Sequence, residues 1–185
     1  MPISDIPLKG THNLENVLAA SCAGTLTGCE PEQIRKAVRG FRAVEHRLEH
    51  VATIAGVEYY NDSKATNVDA TIKALESFPA NIHLILGGKD KASDYTLLND
   101  LLRSRVKQVY TIGAAAAKIE SQIKGAAEID HAETLENAVH QASKAAERGD
   151  IVLLAPACAS FDQFRNYEHR GKVFKETVKA LADHA

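Results

Sequence analysis

Apolar residues recur at two different periods along this chain, and the change from one to the other divides it. Leu14, Val17, Leu18 and Cys22 fall at helical spacing and predict a helix over 13–26, which Gly24 and Gly28 weaken or end. Glu30-Pro31-Glu32 reads as a second helix start, with proline in the first turn and acids near the N-terminus. Ile34, Ala37 and Val38 carry that helix to Gly40. After Val44 short apolar runs alternate with helical patterns. Strands are predicted at 48–54 and 57–60, hinged at Gly56, and at 82–86, 106–112, 127–129 and 151–154. Helices are predicted at 67–77, 95–103, 114–123, 134–148 and 172–182. Such alternation predicts an α/β fold, a mostly parallel sheet with helices on both faces, preceded by a short helical segment. The boundary falls near Glu45, separating 1–45 from 46–185.

In open parallel sheets, ligands bind outside the carboxyl ends of the strands. Those ends lead here into Asn61–Asn67, Gly87–Asp94, Gly113 and Ala155–Gly171, and all but the third are dense in polar residues. In the first segment Asp62 could accept hydrogen bonds from a sugar diol and Lys64 could meet a phosphate or carboxylate. A solvated loop with Thr66 or Asn67 as helix cap is an equal alternative. In the second, Gly87-Gly88 lets backbone approach a ligand closely, Lys89 and Lys91 supply positive charge, and Asp90 could orient one of them; a solvated turn competes evenly. In the last, Ser160 can donate to a carboxylate, while Phe161 and Tyr167 can wall a pocket or, for Tyr167, join the core. Arg47, at the boundary, has a planar fork suited to phosphate, and a surface pair with Glu45 or Glu49 is at least as common an outcome.

Composition narrows the classes. With 185 residues, 45% hydrophobic, the chain holds one ordinary core or a domain plus an appendage. Twenty-two basic against 24 acidic residues leave −2, so no excess of positive charge points to nucleic acid or an anionic membrane. There is no apolar run of about 20 residues and no signal pattern over 1–10, so a cytoplasmic protein is expected. Cys22, Cys29 and Cys158 are odd in number and are expected to be buried and inert. Cys158 as a nucleophile lacks a nearby basic partner. None of the eight histidines has a strong ligand spacing, so no metal site is expected, and His46 and His169 read as surface residues. No window matches the phosphate-binding G-x-x-x-x-G-K-[ST] pattern.

Taken together and in order, several stretches resemble the Mur ligase family: H-N-L-E-N (His12 to Asn16), H-R-L-E (His46 to Glu49), N-D-S-K-A-T-N (Asn61 to Asn67), P-A-C-A-S-F-D-Q-F (Pro156 to Phe164) and E-H-R-G (Glu168 to Gly171). The resemblance runs from about Gly10 to Leu181. It implies a Rossmann-like C-terminal domain over 46–185, with 1–45 as the helical tail end of the family's central ATPase domain. The form of N-D-S-K-A-T-N is similar to that of the member that adds D-glutamate to UDP-N-acetylmuramoyl-L-alanine through an acyl phosphate, using ATP and Mg2+. The resemblance implies Asn16, Arg47, Asp62 and Lys64 on the nucleotide, with Lys64 and Arg47 also at the reaction centre. It implies Thr66, Lys91, Ser160, Phe161 and Tyr167 on D-glutamate. The family pattern departs at Ala155, often serine, at Tyr167, often phenylalanine, and in the spelling of Lys89-Asp90-Lys91-Ala92. Without a phosphate loop, the chain is expected to be a fragment that needs no cofactor and does not catalyse alone. Its helices at 13–26 and 31–40, having lost their partners, are expected to pack on the C-terminal domain, to pair with another copy or to remain mobile, an exposed apolar stripe favouring self-association. A family member with another acceptor, of the folylpolyglutamate type, and a non-catalytic nucleotide- or amino-acid-binding module are the alternatives.

Overall fold

A computed structural model describes residues 2–3, 6–8, 10–41 and 44–183. The side chains of Thr11 and of His12, part of the H-N-L-E-N stretch, lie outside the described ones. The chain forms two compact units, Met1–Glu45 and His46–Ala185.

The first unit is a helix pair, α1 (Thr11–Leu26) and α2 (Pro31–Gly40). Pro31 opens α2, and the Glu30 amide donates to Gln33 Oε1 at 2.9 Å, which satisfies one of the helix's leading donors. Gly24 faces the second helix: a Cβ there would stand 3.4 Å from Ile34 Cδ1, an ordinary packing distance. A groove of about 420 Å³ lies between them, lined by Gly24, Cys29, Ile34, Ala37 and Val38 among others. Cys22 and Cys29 are exposed, contrary to expectation. Two short helices enclose no interior of their own, so a small apolar side chain finds nowhere to be buried.

The second unit is a six-stranded sheet in the order β1-β2-β6-β3-β4-β5. Its strands are β1 (Glu49–Ile54), β2 (Val57–Asn61), β3 (Ile82–Gly87), β4 (Val106–Ile112), β5 (Glu128–Glu133) and β6 (Ile151–Leu154). Only β1 is antiparallel, folded back on β2; the other pairings are parallel. The helices are α3 (Val68–Glu76), α4 (Asn99–Arg105), α5 (Ala116–Ile123), α6 (Leu135–Ala145) and α7 (Tyr167–Ala182). The central strand β3 is buried throughout, as a strand covered on both faces must be. Leu84 and Leu86 join Leu75, Leu102 and Ile119 on the face covered by α3, α4 and α5. Ile85 joins Leu135, Val139 and Phe174 on the face covered by α6 and α7. Each such side chain removed from water contributes about 1.5–3 kcal/mol before entropy is counted.

Several element ends differ from the expected ones, and four of them have a local cause. The stretch expected as a helix from Tyr95 begins as a 3-10 turn, Tyr95–Leu98, capped by Asp94, before α4 proper. β5 extends to Glu133: as an exposed edge strand it carries mostly polar residues and leaves little apolar signal. α6 stops at Ala145, where Asp150 Oδ2 takes the Glu147 amide at 2.9 Å and turns the chain. α7 starts at Tyr167, five residues before the expected Lys172, because Asn166 caps it by accepting from the His169 amide at 2.7 Å. E-H-R-G is therefore the first turns of a helix. Among the described residues no helix is long and apolar enough to cross a membrane.

Candidate functional site

The strand order decides what meets at the carboxyl edge. β6 inserts between β2 and β3, so the segment after β6 lies between the Asn61–Asn67 loop and the Gly87–Asp94 loop. Backbone bonds join all three. The Asp62 amide donates to Leu154 O at 2.8 Å and the Ala157 amide to Ala65 O at 3.0 Å. The Gly87 amide donates to Pro156 O at 2.9 Å, and Lys89 and Ala159 exchange both backbone bonds, at 2.8 and 3.2 Å. The paired glycines serve this packing: a Cβ on Gly87 would stand 2.0 Å from Ile112 O and one on Gly88 2.3 Å from Ala159 O. Their close approach is thus to the protein's own loops.

A buried guanidinium ties the arrangement from beneath. Arg170, in the first turn of α7, is fully buried. Its Nε donates to Ser63 Oγ at 3.0 Å, Nη2 to Ser63 O at 2.9 Å, and both terminal nitrogens to Cys158 O at 3.2 Å. Desolvation lowers its pKa to about 10, against the raising pull of Cys158 and of the Asp162 carboxylate. The sequence held it in plain view inside E-H-R-G, but without a role; the adjoining Gly171 was the available signal. A Cβ on Gly171 would stand 2.2 Å from His46 Nδ1. His46 is buried, correcting its surface assignment, and its Nδ1 lies 2.9 Å from Asn61 Nδ2.

Thr66, Lys91 and Ser160 come from three different loops and converge. Lys91 Nζ donates to Thr66 O at 3.3 Å, and Ser160 follows the Ala159–Lys89 bridge directly. Ser160 is 2% exposed. Phe161 is 67% exposed, so it stands at the rim. Tyr167 engages Lys64, whose Nζ lies over its ring at 3.9 Å from the centroid, a cation–π geometry, and His46 meets it edge-on at 6.1 Å.

Asp62 is buried, and its Oδ1 accepts from the Leu48 amide at 3.3 Å. Burial pushes its carboxyl up to about 7, against the pull of that amide and the positive charge of Arg47. Arg47 is exposed beside it. Glu49 is engaged by Lys175 Nζ at 3.0 Å, so it does not serve Arg47 as the surface alternative required. Asn67, not Thr66, caps α3, accepting from the Ala70 amide at 2.8 Å. Asp90 orients neither neighbouring lysine and instead binds Lys118 of α5 at 2.8 Å. Asn16 lies exposed on α1, within the first unit.

Cys158 is buried, and its Sγ sits 2.9 Å from Tyr95 Oη. Burial pushes the thiol up to about 11, which leaves no thiolate to act as nucleophile near neutral pH. Among the described residues no group of three or more His, Cys, Asp or Glu could hold a metal ion. The donor set is hydroxyls, lysines and backbone amides around a positively charged mouth, which suits a small dicarboxylate and phosphate oxygens.

Residues 46–158 match the family described as Mur ligase, glutamate ligase domain. The chain is 69% identical over 183 residues to the UDP-N-acetylmuramoylalanine–D-glutamate ligase of Koribacter versatilis, covering 99% of this chain and 40% of that one. It is 64% identical to the ligase of the same name from Acidobacterium capsulatum, covering 97% and 39%. The chain thus spans about 40% of the length of these curated relatives. Its fold is similar to that of a pseudomurein peptide ligase type C from Methanothermus fervidus (TM-score 0.69, 18% identity, 95% of this chain and 37% of that one). It is also similar to a MurF ligase from Thermotoga maritima in complex with ADP (TM-score 0.67, 16% identity, 94% and 40%).

Proposed function

The chain belongs to the Mur ligase family, and on that premise we propose that it is the part of a D-glutamate-adding ligase that receives the amino acid and one side of the nucleotide. The whole enzyme joins D-glutamate to UDP-N-acetylmuramoyl-L-alanine in the cytoplasm, with ATP and Mg2+, through an acyl phosphate. The observation that carries the acceptor site is the convergence of Thr66, Lys91 and Ser160 from three loops at the carboxyl edge, joined by the Lys91–Thr66 bond and the Lys89–Ala159 bridge. A dicarboxylate takes the lysine ammonium and hydroxyl donors as charge-assisted partners, and Phe161 closes the rim. Tyr167 belongs to the same pocket and also carries Lys64.

Asp62 serves a ribose diol, Arg47 the phosphates, and Lys64 the region where nucleotide and reacting carboxylate meet; Asn16 contributes near the adenine. These groups neutralise and position charge, which is most of what phosphoryl transfer asks of a protein. The donor set here does not fit a resident magnesium site, so the metal is held by residues outside this chain together with the nucleotide phosphates. The portion alone binds and does not catalyse. Self-association through α1 and α2 belongs to this reading as well, because their groove is apolar; light scattering that finds a strict monomer removes it.

The deciding experiment is NMR titration of the chain with D-glutamate, L-glutamate and ADP–Mg2+ in turn. Amide shifts at Thr66, Lys91 and Ser160 with D-glutamate, weaker with L-glutamate, are expected. A full-length ligase containing this chain that joins another amino acid and refuses D-glutamate would overturn the assignment. The shared name of the relatives favours D-glutamate over a folylpolyglutamate-type acceptor.

A further inference from the structure

We infer that Lys118, on α5 and outside every loop of the site, is a positioning residue for the amino-acid acceptor site, acting through Asp90 and Tyr95. The inference rests on the acceptor-site reading above and adds a residue to it.

The connection runs through four side chains. Lys118 Nζ donates to Asp90 Oδ2 at 2.8 Å. Tyr95 Oη donates to Asp90 Oδ1 at 2.8 Å, and the Ser93 amide donates to the same oxygen at 3.1 Å. Because the tyrosine proton is used on Asp90, the bond at 2.9 Å between Tyr95 Oη and Cys158 Sγ has the thiol as donor. Tyr95 and Cys158 are both fully buried, while Lys118 is partly exposed and lies 5.5 Å from the Tyr95 ring centroid. The network therefore begins at the surface of a helix and ends inside the segment that presents Ser160.

Asp90 stands between Lys89 and Lys91, and this is where the geometry becomes functional. With both oxygens of Asp90 engaged away from its neighbours, neither lysine is neutralised by it. Lys91 is left to reach Thr66, and the Lys89 backbone is left to pair with Ala159. Desolvation works against the Asp90 carboxylate, but bonds from Lys118, Tyr95 and Ser93 outweigh it and hold its pKa down to about 2. The carboxylate thus stays charged and fixed throughout the working range of pH. Without Lys118 the Oδ2 of Asp90 loses its partner while Tyr95 and Ser93 still hold Oδ1, and that oxygen, between two lysines of an anion site, competes with the ligand for them.

The test compares Lys118→Met, Lys118→Arg and Asp90→Asn in this chain. Methionine keeps the length and helix propensity of lysine, and arginine restores the charge. Two readouts are taken: exchange of the Lys89 and Ala159 amides, and titration with D-glutamate and with ADP–Mg2+. Lys118→Met is expected to speed exchange at both amides and weaken D-glutamate binding about tenfold, the scale of one charge-assisted bond. ADP binding should hold, and Lys118→Arg should restore most of the loss. Asp90→Asn should speed the same exchange. Wild-type exchange in Lys118→Met overturns the inference, as does an equal loss of both ligands, which marks general destabilisation. If the unsubstituted chain takes no D-glutamate, the acceptor-site reading fails, and the exchange readout still decides whether Lys118 holds the loop.

Discussion

The two ends of the sheet both carry buried polar clusters, and they differ in what is left over. At the amino end, His83 Nε2 lies 3.2 Å from Asp150 Oδ2 and its Nδ1 3.0 Å from Tyr110 Oη. Lys107 Nζ reaches both Asp150 oxygens, at 2.8 and 3.0 Å, and the Glu147 amide adds a third donor. Every group there is consumed by another. At the carboxyl end Arg170 is consumed in the same way, but the ammonium groups of Lys64, Lys89 and Lys91 face solvent. Burial of charge alone therefore does not mark a site. What marks it is donor capacity remaining after the fold has satisfied itself.

The largest effect expected is from Arg170→Met, which strips partners from Ser63 Oγ, Ser63 O and Cys158 O at once. A loss of about 3 kcal/mol or more in urea unfolding is expected, because buried acceptors left unmade cost about 1–3 kcal/mol each. A variant as stable as the parent would break the claim that this end has a spent layer beneath a free one.

Titration sharpens the comparison next. Asp62 is raised to about 7 in the folded chain, so between about pH 4 and 7 the native state holds a proton that the unfolded state has released. Its contribution to stability must therefore fall as pH rises through that window and level off above it. Asp150 is depressed: desolvation opposes it, but the Glu147 amide, Lys107 and His83 prevail. Its contribution is present above the unfolded carboxylate pKa and is lost as pH falls through the folded one. Asp62→Asn should remove the fall between about pH 4 and 7, leaving the opposite rise that His83 adds below its unfolded pKa because burial lowers its folded one, and leave the acid limb intact; a profile unchanged from the parent's refutes the assignment.

The smallest effects make a paired test. Asp150→Asn should cost about 1–3 kcal/mol and leave D-glutamate and ADP titrations unchanged. Ser160→Ala should change stability by no more than about 0.5 kcal/mol and weaken D-glutamate about tenfold, or about 1.4 kcal/mol. If both variants moved stability and binding together, the two ends would not be functionally distinct.

Much of this architecture was readable in the residues. β4 and β6 fall where their apolar runs lie, because Gly113 and Gly149 bound them. The weaker signals failed for definite reasons. The outer strand β5 has little apolar content to read, and the start of α7 hides among Tyr167, Glu168 and His169, which look like site chemistry. His46 was misplaced because its burial depends on Gly171, 125 positions away in the numbering. In the loops, residue chemistry alone left Asp62, Lys64 and Lys91 evenly open; resemblance supplied their roles, and strand order brought their loops side by side. Lys118 gave no signal, since an isolated lysine on an amphipathic helix reads as solvated surface.

One feature of the sheet reaches past ligand binding. Its two bordering strands are β1 and β5. β5 presents Glu128, Asp130, His131 and Glu133 to solvent, and β1 breaks register between His50 and Ala52. Both devices spoil the row of amides and carbonyls on which a foreign strand would dock. Sideways growth of the sheet by another chain, the first step toward a cross-β fibril, is thereby obstructed at both borders, so the domain can be concentrated without templating its own aggregation.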